Sequence, residues 1–103
     1  MFGEWIMNYS ELSDFEINKL VAEKLGQDLS GVNQANQFNY NILGYCTNPY
    51  YAWHVILDNG ISSTPYGKEW MAWSDKTQVR SFSHNVNPLR AAMEVFLMTG
   101  DAA

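Results

Sequence analysis

Cys46, His54, Asp58 and His84 are the residues whose types serve nucleophilic or metal chemistry, and their spacing is tested first. Cys46 lies just ahead of Asn48-Pro49, where a helix start would lower a thiol pKa. His54 falls about two turns into that helix, which sets its ring roughly 10 Å further along the axis. That is too far for a cysteine–histidine pair, which needs hydrogen-bond reach. His54 and Asp58 stand at i, i+4 and can touch, but such pairs are common on helix surfaces. Cys46 therefore reads as a small buried residue. For a metal, His54, Asp58 and the distant His84 offer few ligands and no His-Glu-x-x-His spacing. The seven glycines are scattered and form no phosphate cradle. The expectation is a protein that is not an enzyme, with no cofactor and no metal.

Recognition chemistry is better represented. Four Trp and six Tyr exceed what a small core uses, so some should reach the surface. Trp70 and Trp73, with Tyr66 before them and Arg80 after, are candidates to stack a planar ligand or anchor a protein. The competing reading is that at least one of these tryptophans packs beneath a helix. Arg90 has two readings as well. It either aims at an anion from a helix N-terminal end or pairs internally with Glu94 at i+4.

The elements that would hold these residues are legible. Asn87-Pro88 opens the last helix with a good cap and a proline where a first turn tolerates it. Leu89, Ala92, Met93, Phe96 and Leu97 follow the helical template, while Ala91, Val95 and Met98 widen the apolar surface. Only Arg90 and Glu94 are charged before Gly100 ends it, so this helix should be enclosed as the core. Ser13-Asp14-Phe15-Glu16 is a capping box for a helix over Asp14–Leu25, buried along Ile17, Leu20, Val21 and Leu25. A further helix runs from Tyr50 to Asp58 behind Asn48-Pro49, with Ala52, Trp53, Ile56 and Leu57 as its expected buried face. Gln27–Asn41 reads as a long loop with a short strand near Gln37–Ile42. Ile61–Tyr66 should be extended, and Pro65 limits its pairing. Glu69–Trp73 and Val79–Ser83 should form a hairpin joined around Ser74–Gln78. In it Trp70 and Ala72 share one face, and Met71, Trp73, Arg80 and Phe82 the other. Helices should cover both sides, or one side meets a partner. The expected fold is α+β: three helices packed around a small, mainly antiparallel sheet of three to four strands.

Bulk properties narrow the function classes. The 103 residues suit a single domain, 1–103, with 1–8 as a flexible N-terminal extension, of which Met1–Ile6 is optional if Met7 is the native start. The net charge is −5. It lies in residues 1–58, where seven acids face only Lys19 and Lys24. Nucleic-acid binders need a basic footprint, so no nucleic acid is expected as partner. Cys46 is the single cysteine and excludes an intramolecular disulfide. No apolar run approaches the roughly 18 residues of a membrane span, and the N-terminus lacks the pattern of a secretory signal. A reducing, cytosolic setting without membrane attachment follows.

Three blocks resemble a known family. Tyr9–Ala22 is similar to the opening of the small NinX-type proteins of lambdoid phages. Tyr45–Pro49 with Ala52-Trp53 and Asp58–Ser62, then Asn87–Met93 with Val95–Met98, resemble its later blocks in the same order. The resemblance implies an accessory protein of temperate phages and prophages, working in the host cytosol, and it carries over no site residues. These blocks leave residues 27–44 and 63–86 outside the resemblance. Non-catalytic binding is thus expected, to a host protein of defence or regulation or through self-association. The alternative is a small nucleotide-like ligand held between the aromatics and an arginine.

Overall fold

Positions 88–99 carry more apolar surface than one helical stripe requires, and they are enclosed accordingly. The computed structural model describes residues 9–29, 31, 44–74 and 81–99. A 3-10 turn at Tyr9–Glu11 leads into α1 (Asp14–Lys24). Then come α2 (Pro49–Asp58), β1 (Ile61–Tyr66), β2 (Glu69–Ser74), β3 (Ser81–Asn85) and α3 (Pro88–Thr99). Both strand pairings are antiparallel, in the order β1-β2-β3. This is the α+β arrangement of three helices and a small antiparallel sheet that the sequence leads one to expect. α3 packs on all three strands and also against α1 and α2, so it lies between the sheet and the other helices. Every residue from Arg90 to Leu97 is buried.

Local sequence explains each boundary. Ser13 caps α1: its hydroxyl accepts the Glu16 N–H at 3.1 Å, and Glu16 Oε1 accepts the Ser13 N–H at 3.1 Å. Accepting the Ser13 backbone N–H, then its hydroxyl, holds the Glu16 carboxyl below its ordinary pKa. Gly26, at φ +106°, closes this helix in a conformation that side chains disfavour. Asn48 Oδ1 accepts the Tyr50 N–H at 3.0 Å, and Asn87 Oδ1 accepts the Leu89 N–H at 2.9 Å. Both Asn-Pro openings are therefore caps. Asn87 does more, because its amide also donates to the Cys46 carbonyl at 2.6 Å. The Cys46 N–H in turn donates to Asn18 Oδ1 of α1 at 3.0 Å. The approach to α2 is thereby tied to both neighbouring helices.

The sheet refines the hairpin. β1 is a paired strand, joined to β2 through Gly67-Lys68, with Gly67 at the positive φ of +64° that a tight turn requires. Pro65 faces Trp70 from an edge strand, where a missing N–H is tolerated. β3 runs to Asn85, two residues beyond Ser83, with Trp73 opposite Phe82. Ala72, Ser74 and Ser83 are buried on the face towards α3. Among the described elements α3 is the helix that packs on β2 and β3. The strand expected near Gln37–Ile42, and residues 75–80 with the expected link and the expected strand start at Val79, lie outside the described residues.

Candidate functional site

Strand alternation separates the two tryptophans that the sequence grouped. Trp70 shares the α3 side with Ala72, while Trp73 shares the outer side with Met71. Tyr66 is on that outer side too, 58% exposed and stacked on His84 with ring centroids 5.0 Å apart. Arg80 lies outside the described residues. Arg90 is buried on α3. The five candidates Tyr66, Trp70, Trp73, Arg80 and Arg90 are thus not brought together as one described site.

Arg90 takes the internal reading. Its Nε donates to Glu94 Oε2 at 2.7 Å and one terminal nitrogen to Asp14 Oδ1 at 2.6 Å. The other donates to the carbonyls of Tyr9 at 3.0 Å and Leu12 at 2.6 Å. Ser83 donates to the remaining Glu94 oxygen at 2.5 Å. One guanidinium therefore joins α3, α1 and the N-terminal turn, and its acid partner reaches the sheet. Burial favours loss of its proton, but the hydrogen bonds to Asp14 and Glu94 outweigh that and raise the Arg90 pKa above its ordinary value. The helix carries this pair as architecture.

Cys46 is fully buried. Burial first, then the nearby Asp14 charge, pushes its thiol up to about 12. A thiol so placed is not a nucleophile at neutral pH. Native protein should react with a thiol alkylating reagent at pH 8 orders of magnitude more slowly than urea-unfolded protein, with mass spectrometry following the adduct. Between the ordinary thiol range and about 12 the unfolded chain releases this proton while the folded chain keeps it. Stability should accordingly fall as pH rises through that window.

The largest departure concerns α2. Ala52 and Val55 are buried and Tyr51 and Ile56 half-buried, whereas Trp53 and Leu57 are 56% and 57% exposed. Trp53 and Leu57 were expected inside. The helix is apolar on most sides, so composition leaves its orientation open, and the side it buries is that of Ala52 and Val55, with α3 as its helix neighbour. Tyr50, 70% exposed, completes an outward stripe of Tyr50, Trp53 and Leu57 at i, i+3 and i+7. The signal was available in the excess of apolar residues, since only His54 and Asp58 are polar in Tyr50–Asp58.

Beside this stripe runs a groove of about 370 Å³ between the end of α1 and α2. Tyr45, Tyr51, His54, Asp58 and Lys24 line it, with Phe96 of α3. Lys24 turns its ammonium onto the Phe96 ring, 4.4 Å from the centroid, and donates to the Phe96 carbonyl and to Thr99 Oγ1. There it complements the negative end of α3. His54 meets Tyr50 edge-on at 5.9 Å. The structure thus brings His54 and Asp58 to one groove and leaves Cys46 out of its lining. His84 is on the sheet, and among the described residues no three His, Cys, Asp or Glu side chains gather as metal ligands.

Fold and surface together define a small α+β domain built on an enclosed helix and carrying one aromatic helix face outside. The model of the family described as "Bacteriophage P22, NinX" matches residues 8–100. The chain belongs to this family of phage accessory proteins. No curated protein and no solved structure matches it significantly. Among the described residues no helix is long and apolar enough to cross a membrane.

Proposed function

We propose that this phage accessory protein works in the host cytosol by non-catalytic binding to a host protein of defence or regulation, through the outward face of α2. The carrying observation is the stripe of Tyr50, Trp53 and Leu57, exposed at 70%, 56% and 57% on one helix. Aromatic side chains with this exposure are the usual anchors of protein interfaces. Affinity capture from host lysate should retain a specific protein that is lost with Trp53→Ala, while the melting temperature of the variant stays that of the parent. Repeated capture of nothing above background, or capture indifferent to Trp53→Ala, would count decisively against this reading.

The groove supports a second reading, a small nucleotide-like ligand. Its volume of about 370 Å³ lies within the roughly 300–1,000 Å³ typical of ligand pockets. It offers Tyr45 and Tyr51 as aromatic walls, and His54 and Lys24 as polar groups. This moves the ligand site away from Trp70 and Trp73. A thermal-shift rise with cyclic nucleotides that disappears on Tyr51→Ala would favour it, because ligand bound to the native state alone raises the melting point.

A further inference from the structure

We infer that the partner presents a basic amphipathic helix to α2. Its apolar stripe would lie on Tyr50, Trp53 and Leu57, and one of its lysines or arginines would enter the groove beside them. The inference rests on the reading that α2 is the binding face, and it adds the chemistry of what binds there.

Three observations select this occupant. First, the surface is a side-chain stripe on a helix, so it offers no backbone ladder to an extended peptide. A helix satisfies its own backbone groups and meets such a stripe with side chains alone, at matching i, i+3, i+7 spacing. Second, the groove combines aromatic walls, Tyr45 and Tyr51, with the Asp58 carboxylate. That pairing suits a cation, through the ring faces and a charge-assisted hydrogen bond. The Lys24 ammonium lies over the Phe96 ring in the same groove, held by the Phe96 carbonyl and Thr99 Oγ1. A volume of about 370 Å³ is at the small end for ligand pockets, a fit for one long side chain. Third, residues 1–58, which contain α1 and α2, carry seven acids against two lysines. A second copy would bring that acidic half against itself, which opposes self-association. A basic helix is instead drawn to it, with steering that salt weakens.

The test uses full-length protein and a synthetic helical peptide of leucine and lysine, leucines at i, i+3, i+4 and i+7. Two controls accompany it: the same pattern with glutamate for lysine, and a scrambled leucine–lysine sequence of equal composition. Titration calorimetry gives the affinities. The patterned basic peptide should bind at least tenfold tighter than either control and weaken as salt rises. Trp53→Ala should reduce its affinity at least tenfold. Asp58→Asn should reduce it several-fold and flatten the salt dependence, while Tyr66→Ala, on the sheet, should leave it unchanged. Equal binding of the glutamate or scrambled peptide, or indifference to Trp53→Ala, overturns the inference. So does a dimer of the chain itself that dissociates on Trp53→Ala in sedimentation. Should lysate capture depend on Trp53 while the basic peptide fails to bind, this inference falls and the binding role of α2 stands. Capture that ignores Trp53 removes both.

Discussion

Arg90→Ala is expected to destabilise the domain by about 3–5 kcal/mol, the cost of breaking a buried ion pair by removing one partner. Against total stabilities of roughly 5–15 kcal/mol for domains of this kind, that is a large fraction, so the variant should unfold at a much lower urea concentration than the parent. The Glu94 side chain, wholly buried, would be left as a charge with only the Ser83 hydroxyl beside it. The Tyr9 and Leu12 carbonyls would lose the donor that fastens the N-terminal turn to α3. Asp14 matters less: its side chain is half exposed, so Asp14→Asn should cost no more than about 1 kcal/mol. The decisive comparison is Arg90→Met with Glu94→Leu. Removing both charges eliminates the uncompensated one, so the double variant should be more stable than Arg90→Ala. Urea unfolding with a shared slope measures all of these. A midpoint for Arg90→Ala within about 1 kcal/mol of the parent would show that the buried charges are not coupled as the distances indicate.

The same residue shows how far the sequence could be read. Arg90 and Glu94 stand at i, i+4, so their pairing was legible from spacing alone. The involvement of Asp14, Tyr9 and Leu12, some eighty residues away, is set by how α1 docks on α3, which no local pattern encodes. Capping was fully legible at Ser13, Asn48 and Asn87, because it depends on a few adjacent residues. Strand alternation likewise foretold that Trp70 and Trp73 face opposite ways, which already weakened any site made of both. Ile61–Tyr66 was legible as extended, but its full pairing was not, because Pro65 reads as a limit until the strand is known to be an edge. Orientation of α2 was the harder problem. With only two polar residues in nine, periodicity could not choose between faces, and the choice fell to tertiary packing against α3. The candidate surface exists because of that ambiguity: a helix with more apolar residues than one face can bury must show the rest.

That orientation makes the second large prediction. Ala52→Asp should destabilise the protein by at least about 3 kcal/mol, because it places an unpaired charge where the structure leaves no access to water. Trp53→Asp and Leu57→Asp, one and five residues further along, should stay within about 0.5 kcal/mol of the parent, as surface substitutions do. Had Trp53 and Leu57 formed the buried face, the order would be reversed, with the tryptophan and leucine variants unfolded. Val55→Ala adds a graded check, since it removes two methyl carbons from a site only 4% exposed. It should cost more than either aspartate on the outer face, despite being the mildest change in chemistry. Thermal or urea unfolding of these variants therefore reads the helix orientation without reference to any partner. Trp53→Asp then becomes the sharpest tool for function, because a folded protein that has lost its partner locates the interaction on the face that folding does not use.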